Sequence, residues 1–118
     1  MVEINERAYR LSKENVLLNN LKDKIDVYHG SMFEPFHKFH NKLFDVILLN
    51  PPQTAGRDIC IKMIDQSYNR IRAEGTLQIV ARHNKGGETL SRHMSDVFGN
   101  VREIAKNSGY RVYLSQKI

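Results

Sequence analysis

Phe44-Asp45-Val46-Ile47-Leu48-Leu49-Asn50-Pro51-Pro52 is the stretch whose reading organises the rest of the chain. Its first six residues have the character of a strand, and Val46 to Leu49 are all apolar. Such an unbroken apolar run is expected of a strand in a parallel sheet with helices over both faces. The two prolines must end it, because they lack the N–H groups that a ladder requires. A tripeptide at the carboxyl end of this kind of strand lies where open parallel sheets bind their ligands.

On either side, short apolar runs alternate with stretches of helical spacing, the pattern of strands joined by crossover helices. Upstream, Asn5 to Asn20 reads as a helix with Asn5 as N-cap and Ala8, Leu11 and Leu18 on one face. Lys24 to His29 is a short strand, and Ser31 to Leu43 is irregular. Downstream, Cys60, Met63, Ile64, Ser67 and Ile71 recur at helical spacing, with Gly75 as the stop. Thr76 to Ala81 is a buried strand, and Leu90, Met94, Val97 and Phe98 mark a third helix. Val101 to Ala105 and Tyr110 to Leu114, joined by Asn107-Ser108-Gly109, form a closing hairpin. The expected architecture is therefore α/β: a Rossmann-like, mostly parallel sheet, helices on both faces, and a C-terminal antiparallel hairpin. That hairpin separates the chain from doubly wound folds that stay parallel throughout.

The 118 residues suffice for one domain and are too few for two. No apolar run approaches the roughly 18 residues of a membrane helix, and the amino terminus does not read as a secretory signal. The one cysteine, Cys60, has no partner for an internal disulfide, so a cytoplasmic protein is expected. The net charge of +5 is concentrated late in the chain: from Arg82 onward there are seven Lys or Arg and three Asp or Glu. A phosphate-rich partner and an ordinary basic surface are both compatible with that bias.

Two readings of Asn50-Pro51-Pro52 are open from the residues alone. It is either a rigid strand-ending turn or a grip for an amine. In the second, the Asn50 carboxamide and the Pro51 carbonyl are acceptors aimed in fixed directions. An aromatic amine offers two N–H donors, and its lone pair is delocalised into the ring. Holding both hydrogens would orient the nitrogen toward an electrophile, so catalysis would be mostly positioning. His37 and His40 lack the cysteines or carboxylates of a metal site, so no metal is expected. Lys85-Gly86-Gly87 lacks the rest of a phosphate loop and reads as the opening of the third helix. Cys60 reads as a small core residue. Tyr110, Arg111 and Tyr113 suit either RNA contact or a strand with one buried face.

Several ordered motifs resemble one family. Glu3-Ile4-Asn5-Glu6-Arg7-Ala8, Glu14-Asn15, Asn19-Asn20, Phe44-Asp45-Val46-Ile47, Asn50-Pro51-Pro52, Val97-Phe98-Gly99-Asn100 and Gly109-Tyr110-Arg111-Val112 are similar to the methyltransferase small domain. Its members include ribosomal RNA guanine-N2 methyltransferases and archaeal relatives. The resemblance implies a class I enzyme that uses S-adenosyl-L-methionine to methylate an exocyclic amine of an RNA base, guanine N2 foremost. It implies that Glu3, beside Ile4, holds the cofactor's ribose hydroxyls, and that Ser31 and Met32 of the Gly30-Ser31-Met32 loop meet its adenine. Asn50, Pro51 and Pro52 would form the target-amine loop, with Asn50 also near the cofactor. Gln53 and Arg82 are the candidates for substrate contact. The chain departs from the family pattern at Ser31, where an acidic residue is usual, and at Gln53, where an aromatic residue usually stacks on the base.

The family's first strand and its glycine-rich loop have no counterpart here. In the family that strand lies mid-sheet, and its loss would open two edges and uncover an apolar layer. Four or five core side chains at roughly 1.5–3 kcal/mol each amount to about 6–15 kcal/mol, as much as a domain's net stability of about 5–15 kcal/mol. Truncation, a swapped or homo-oligomeric assembly, and direct pairing across the gap are the alternatives. Truncation with Met1 as an internal methionine is the expectation, and a longer reading frame should carry the glycine-rich segment. The expected partner is ribosomal or transfer RNA, with no membrane. The competing readings are a non-catalytic RNA-binding or partner-dependent module and half of a nicotinamide dehydrogenase. Methylation of a protein glutamine or of DNA adenine also uses related tripeptides.

Overall fold

The computed structural model describes residues 1–36, 42–51 and 56–118. Met1–Lys42 and Leu43–Ile118 form two compact units. His37, His40, Pro52 and Gln53 lie outside the described residues.

In the first unit, β1 (Val2–Glu3) pairs in parallel with β2 (Tyr28–His29), and α1 (Glu6–Leu18) connects them. Asn5 caps α1, its side chain accepting from the Ala8 N–H at 3.0 Å. The buried stripe differs from the expected one. Val16 is the buried helix residue, with Ala8, Tyr9 and Ser12 half-buried, whereas Leu11 and Leu18 are exposed. Side chains four apart share a face, and the less exposed face of α1 runs through Ala8, Ser12 and Val16. The strand expected over Lys24 to His29 shrinks to its last two residues. Lys24 and Ile25 donate to the Leu21 carbonyl instead, closing a turn. A tight helical turn follows at Glu34–Phe36. Replacing Asn5 by Ala removes the cap and should cost about 1 kcal/mol, read as an earlier urea midpoint for the loss of α1 ellipticity.

The second unit holds β3 (Phe44–Leu49), α2 (Arg57–Tyr68), β4 (Ile71–Arg82), α3 (Gly87–Phe98), β5 (Arg102–Asn107) and β6 (Tyr110–Gln116). The sheet order is β3-β4-β6-β5. β3 and β4 run parallel, while β6 is antiparallel to both β4 and β5. The sheet is therefore mixed. The hairpin turns through Ser108 (φ 52°) and Gly109 (φ 84°), with Asn107 opposite Tyr110. Two consecutive positive φ angles match the handedness that joins twisted antiparallel strands.

Ile71 is a strand residue and Gly75 is not a helix stop, contrary to the helical reading of both. α2 ends at Tyr68, and the Phe44 N–H already donates to the Arg70 carbonyl at 2.7 Å. An apolar residue entering a buried strand keeps helical spacing with the helix before it, so periodicity alone does not divide the two. Gly75 serves a close approach between strands. A Cβ there would lie 2.7 Å from the Asp45 carbonyl oxygen.

Leu77 and Ile79 of β4, Tyr113 and Ser115 of β6, and Ile47 of β3 are buried, as are Ile64 of α2 and Leu90, Met94 and Phe98 of α3. The two helices touch each other and the strands beneath them. On β3 the apolar run suggested cover on both faces, but within this unit Val46 is 50% and Leu48 71% exposed. Both stand on the side opposite Ile47, the residue that shares the helix-packed layer. At the far end, the Asn100 carboxamide donates to the Phe98 and Gln116 carbonyls and accepts from the Gln116 N–H. The Ser115 hydroxyl donates to the Asn100 carbonyl at 2.7 Å. Among the described residues, no helix is long and apolar enough to cross a membrane.

Candidate active site

The parallel pairing of β3 and β4, with Leu48 opposite Gln78 and Leu49 opposite Ile79, brings the carboxyl ends of both strands out together. Asn50 leaves β3 exposed, and Pro51 behind it is buried. Both line a cavity of about 170 Å³ with Arg57 and Cys60 of α2, Arg82 of β4, Lys85 and Gly87 at the entry to α3, and Tyr110 of β6. That is below the roughly 300–1,000 Å³ of sites enclosing a drug-sized ligand. The cavity therefore suits one ring system, with anything attached to it left at the rim.

Arg57, Arg82 and Lys85 line the cavity, and no carboxylate does among the described residues. Arg82 and Tyr110 are cross-strand neighbours, with the guanidinium carbon 5.4 Å from the ring centroid. The turn after Arg82 is fixed on two sides. The His83 N–H donates to the Gly109 carbonyl at 3.1 Å, and the His83 ring nitrogen Nδ1 pairs with the Tyr113 hydroxyl at 2.6 Å. Burial pushes the Tyr113 phenol above its ordinary range, opposed by the nearby Arg111 charge, so it stays protonated. Gly87 lets α3 begin directly against that turn. A Cβ there would stand 2.7 Å from the Arg82 carbonyl oxygen and 3.2 Å from the Tyr113 hydroxyl.

Burial also raises the Cys60 thiol from its ordinary value, so it remains a protonated, inert wall of the cavity. Among the described residues there is no group of three or more His, Cys, Asp or Glu suited to a metal ion.

In the first unit, Glu3 ends β1 with its carboxylate accepting from the Asn5 N–H at 3.1 Å. The Gly30 N–H donates to the Glu3 carbonyl at 3.1 Å, and the Ile4 carbonyl lies 3.1 Å from His29 Nε2. Ser31 and Met32 follow β2 after Gly30, both half-buried, with Met32 at φ 56°. Parallel pairing of β1 with β2 thus brings Glu3, Ile4, Ser31 and Met32 to one end of the small sheet. A carboxylate at a strand end, such as that of Glu3, can accept from both hydroxyls of a diol.

Sequence reasoning missed Arg57, and it assigned Lys85 only to a helix start. Their signal lay in position: each opens or precedes a helix that follows a strand ending at the cavity. Tyr110 suits RNA contact or a half-buried strand from the sequence, which ties it to no site.

The methyltransferase small domain family model matches residues 1–114. The chain is 28% identical over 118 residues to the uncharacterized protein YbxB of Bacillus subtilis, covering 100% of this chain and 57% of that protein. It is 36% identical over 80 residues to ribosomal RNA small subunit methyltransferase C of Shewanella amazonensis, covering 64% of this chain and 22% of the enzyme. The fold matches the T. thermophilus 16S rRNA N2 G1207 methyltransferase solved with AdoMet and guanosine, with a TM-score of 0.75 at 18% identity, over 99% of this chain and 30% of that one. The chain thus spans little more than half the length of YbxB and about a fifth of the Shewanella enzyme.

Proposed function

The chain belongs to the methyltransferase small domain family, and on that premise we propose that it transfers a methyl group from S-adenosyl-L-methionine to an exocyclic amine of an RNA base. Guanine N2 is the foremost target, ribosomal or transfer RNA the substrate, and the cytoplasm the setting. The observation that carries this reading is the cavity at the ends of β3 and β4, where, among the described residues, Asn50 and Pro51 stand with three cations and no carboxylate. An amine presented by a polyanion is favoured there over one presented by a neutral or basic protein segment. Names and ligands of relatives support the same choice: the Shewanella enzyme is a ribosomal RNA methyltransferase, and the T. thermophilus structure holds AdoMet and guanosine.

When bound, S-adenosylmethionine supplies a methyl group on a sulfonium sulfur, an electrophile that needs no activation by the protein. Glu3 and Ile4 would hold its ribose, and Ser31 with Met32 its adenine. The work left to the chain is to hold a weak nucleophile still. The Asn50 side-chain oxygen and the Pro51 carbonyl accept the two N–H groups of the base amine, and Pro52, next in the sequence, would restrict the backbone there. Fixing both hydrogens sets the direction of the nitrogen, the kind of positioning that accounts for large rate effects without a base. After transfer the nitrogen sheds one proton to water. Gln53 and Arg82 would contact the base or its flanking phosphates.

The test is direct. The chain, incubated with methyl-tritiated cofactor and total RNA, should label RNA, and digestion to nucleosides should place the tritium in N2-methylguanosine. Label in another base amine would change the target. No label in RNA would overturn the proposal.

A further inference from the structure

We infer that Tyr110 is the stacking platform for the substrate base, so that the closing hairpin as well as the strand-ending corner selects what enters the cavity. The inference rests on the nucleotide reading of the same site and assigns the residue that binds the flat face of the ring.

Three observations carry it. Among the described residues lining the cavity, Tyr110 is the one aromatic side chain. It is 42% exposed, so it is not packed away in the core. Its orientation is also held: Asn107 and Arg82 are its cross-strand neighbours, and the Arg82 guanidinium lies over the ring at 5.4 Å. A cation over an aromatic ring both pins the ring and places charge beside whatever stacks on it. A heterocycle needs an aromatic or guanidinium plane for its faces, while Asn50 and Pro51 address only its edge. Arg57 and Lys85 line the same cavity as cations available to backbone phosphates. Edge, face and phosphate are then served by different elements converging from β3, β6 and the starts of α2 and α3.

Stacking leaves a signature that a merely structural tyrosine would not. The chain has no tryptophan, so Tyr110→Trp installs one reporter inside the cavity. Guanosine 5′-monophosphate should quench its emission saturably, and ribose 5-phosphate, which keeps the phosphate and lacks the base, should not. By calorimetry, Tyr110→Phe should bind the nucleotide within about twofold of the unaltered chain, and Tyr110→Ala about tenfold more weakly. Equal binding by Tyr110→Ala, equal effects of the two ligands, or no quenching at all would each overturn the platform. None of these readouts uses methyl transfer. A chain that binds nucleotide through Tyr110 yet methylates no RNA therefore counts against the proposed reaction alone, and an active chain with an unquenched reporter counts against the platform alone.

Discussion

Replacing Asn50 by alanine will lower methyl transfer to RNA about a hundredfold while leaving the fold in place. The size follows from what is removed. Truncating a single preorganised polar group at a reacting centre typically costs on the order of a hundred- to a thousandfold in turnover, and mispositioning alone reaches about a hundredfold. Asn50 is exposed and ends a strand whose pairings are made by the backbone, so the urea midpoint of the variant should match that of the unaltered chain. The loss should fall on kcat more than on KM, since the base would still be held by its face and by phosphate contacts. Asn50→Asp keeps acceptor oxygens and should retain more activity than Asn50→Ala. Equal activity of the alanine variant and the parent would show that the corner does not grip the amine.

Leu77→Ala will give the largest loss of stability, about 2–5 kcal/mol. Leu77 is fully buried in β4, with Ile47 of β3 and Ser115 of β6 as its strand partners. Truncation leaves a hole in the layer beneath α2 and α3 that neighbours on both sides, fixed by strand pairing, are poorly placed to fill. Against a total of about 5–15 kcal/mol for an ordinary domain, that is a large share. It should appear as a fall in Tm of roughly 10–20 °C, with the urea m-value unchanged. A change below about 1 kcal/mol would mean that the layer repacks. The cavity lies on the same strand, at its carboxyl end. At temperatures where the variant stays folded, nucleotide affinity should be preserved, which separates this stability effect from the positioning effect at Asn50.

The parts of the fold that were readable in advance are those where one physical cause dominates. Phe44 to Leu49 declared a strand and Pro51 its end, because apolar continuity and a missing N–H donor act at the same place, although cover on both faces does not extend to Val46 and Leu48. Ser108 and Gly109 declared a hairpin because the turn needs two left-handed residues. Leu90, Met94 and Phe98 fell on one face of α3 as their spacing required. The misreadings came where two causes produce the same pattern. Ile71 kept helical spacing with Ser67 although it starts a strand, and Gly75 looked like a helix stop although a neighbouring carbonyl is what requires it. Leu11 and Leu18 read as inward on hydrophobicity, while the less exposed face runs through Ser12 and Val16. The candidate site was legible at Asn50 and Pro51, which are contiguous and chemically distinctive. Arg57, Lys85 and Tyr110 lie far apart in the chain and meet only because three elements end together. No local pattern announces that.

Asn100 carries a consequence for how this sequence can vary over time. Its amide is read as donor on one side and acceptor on the other by neighbours that are themselves backbone and cannot adapt. No amino acid reachable from asparagine by a single nucleotide change has a carboxamide. Aspartate would set an acceptor against two carbonyls, and serine or threonine would fall short of the far strand. Position 100 is thus a place where gradual drift is closed, and lineages that keep this corner should keep the residue, even where the exposed strand beside it, Arg102 to Asn107, varies.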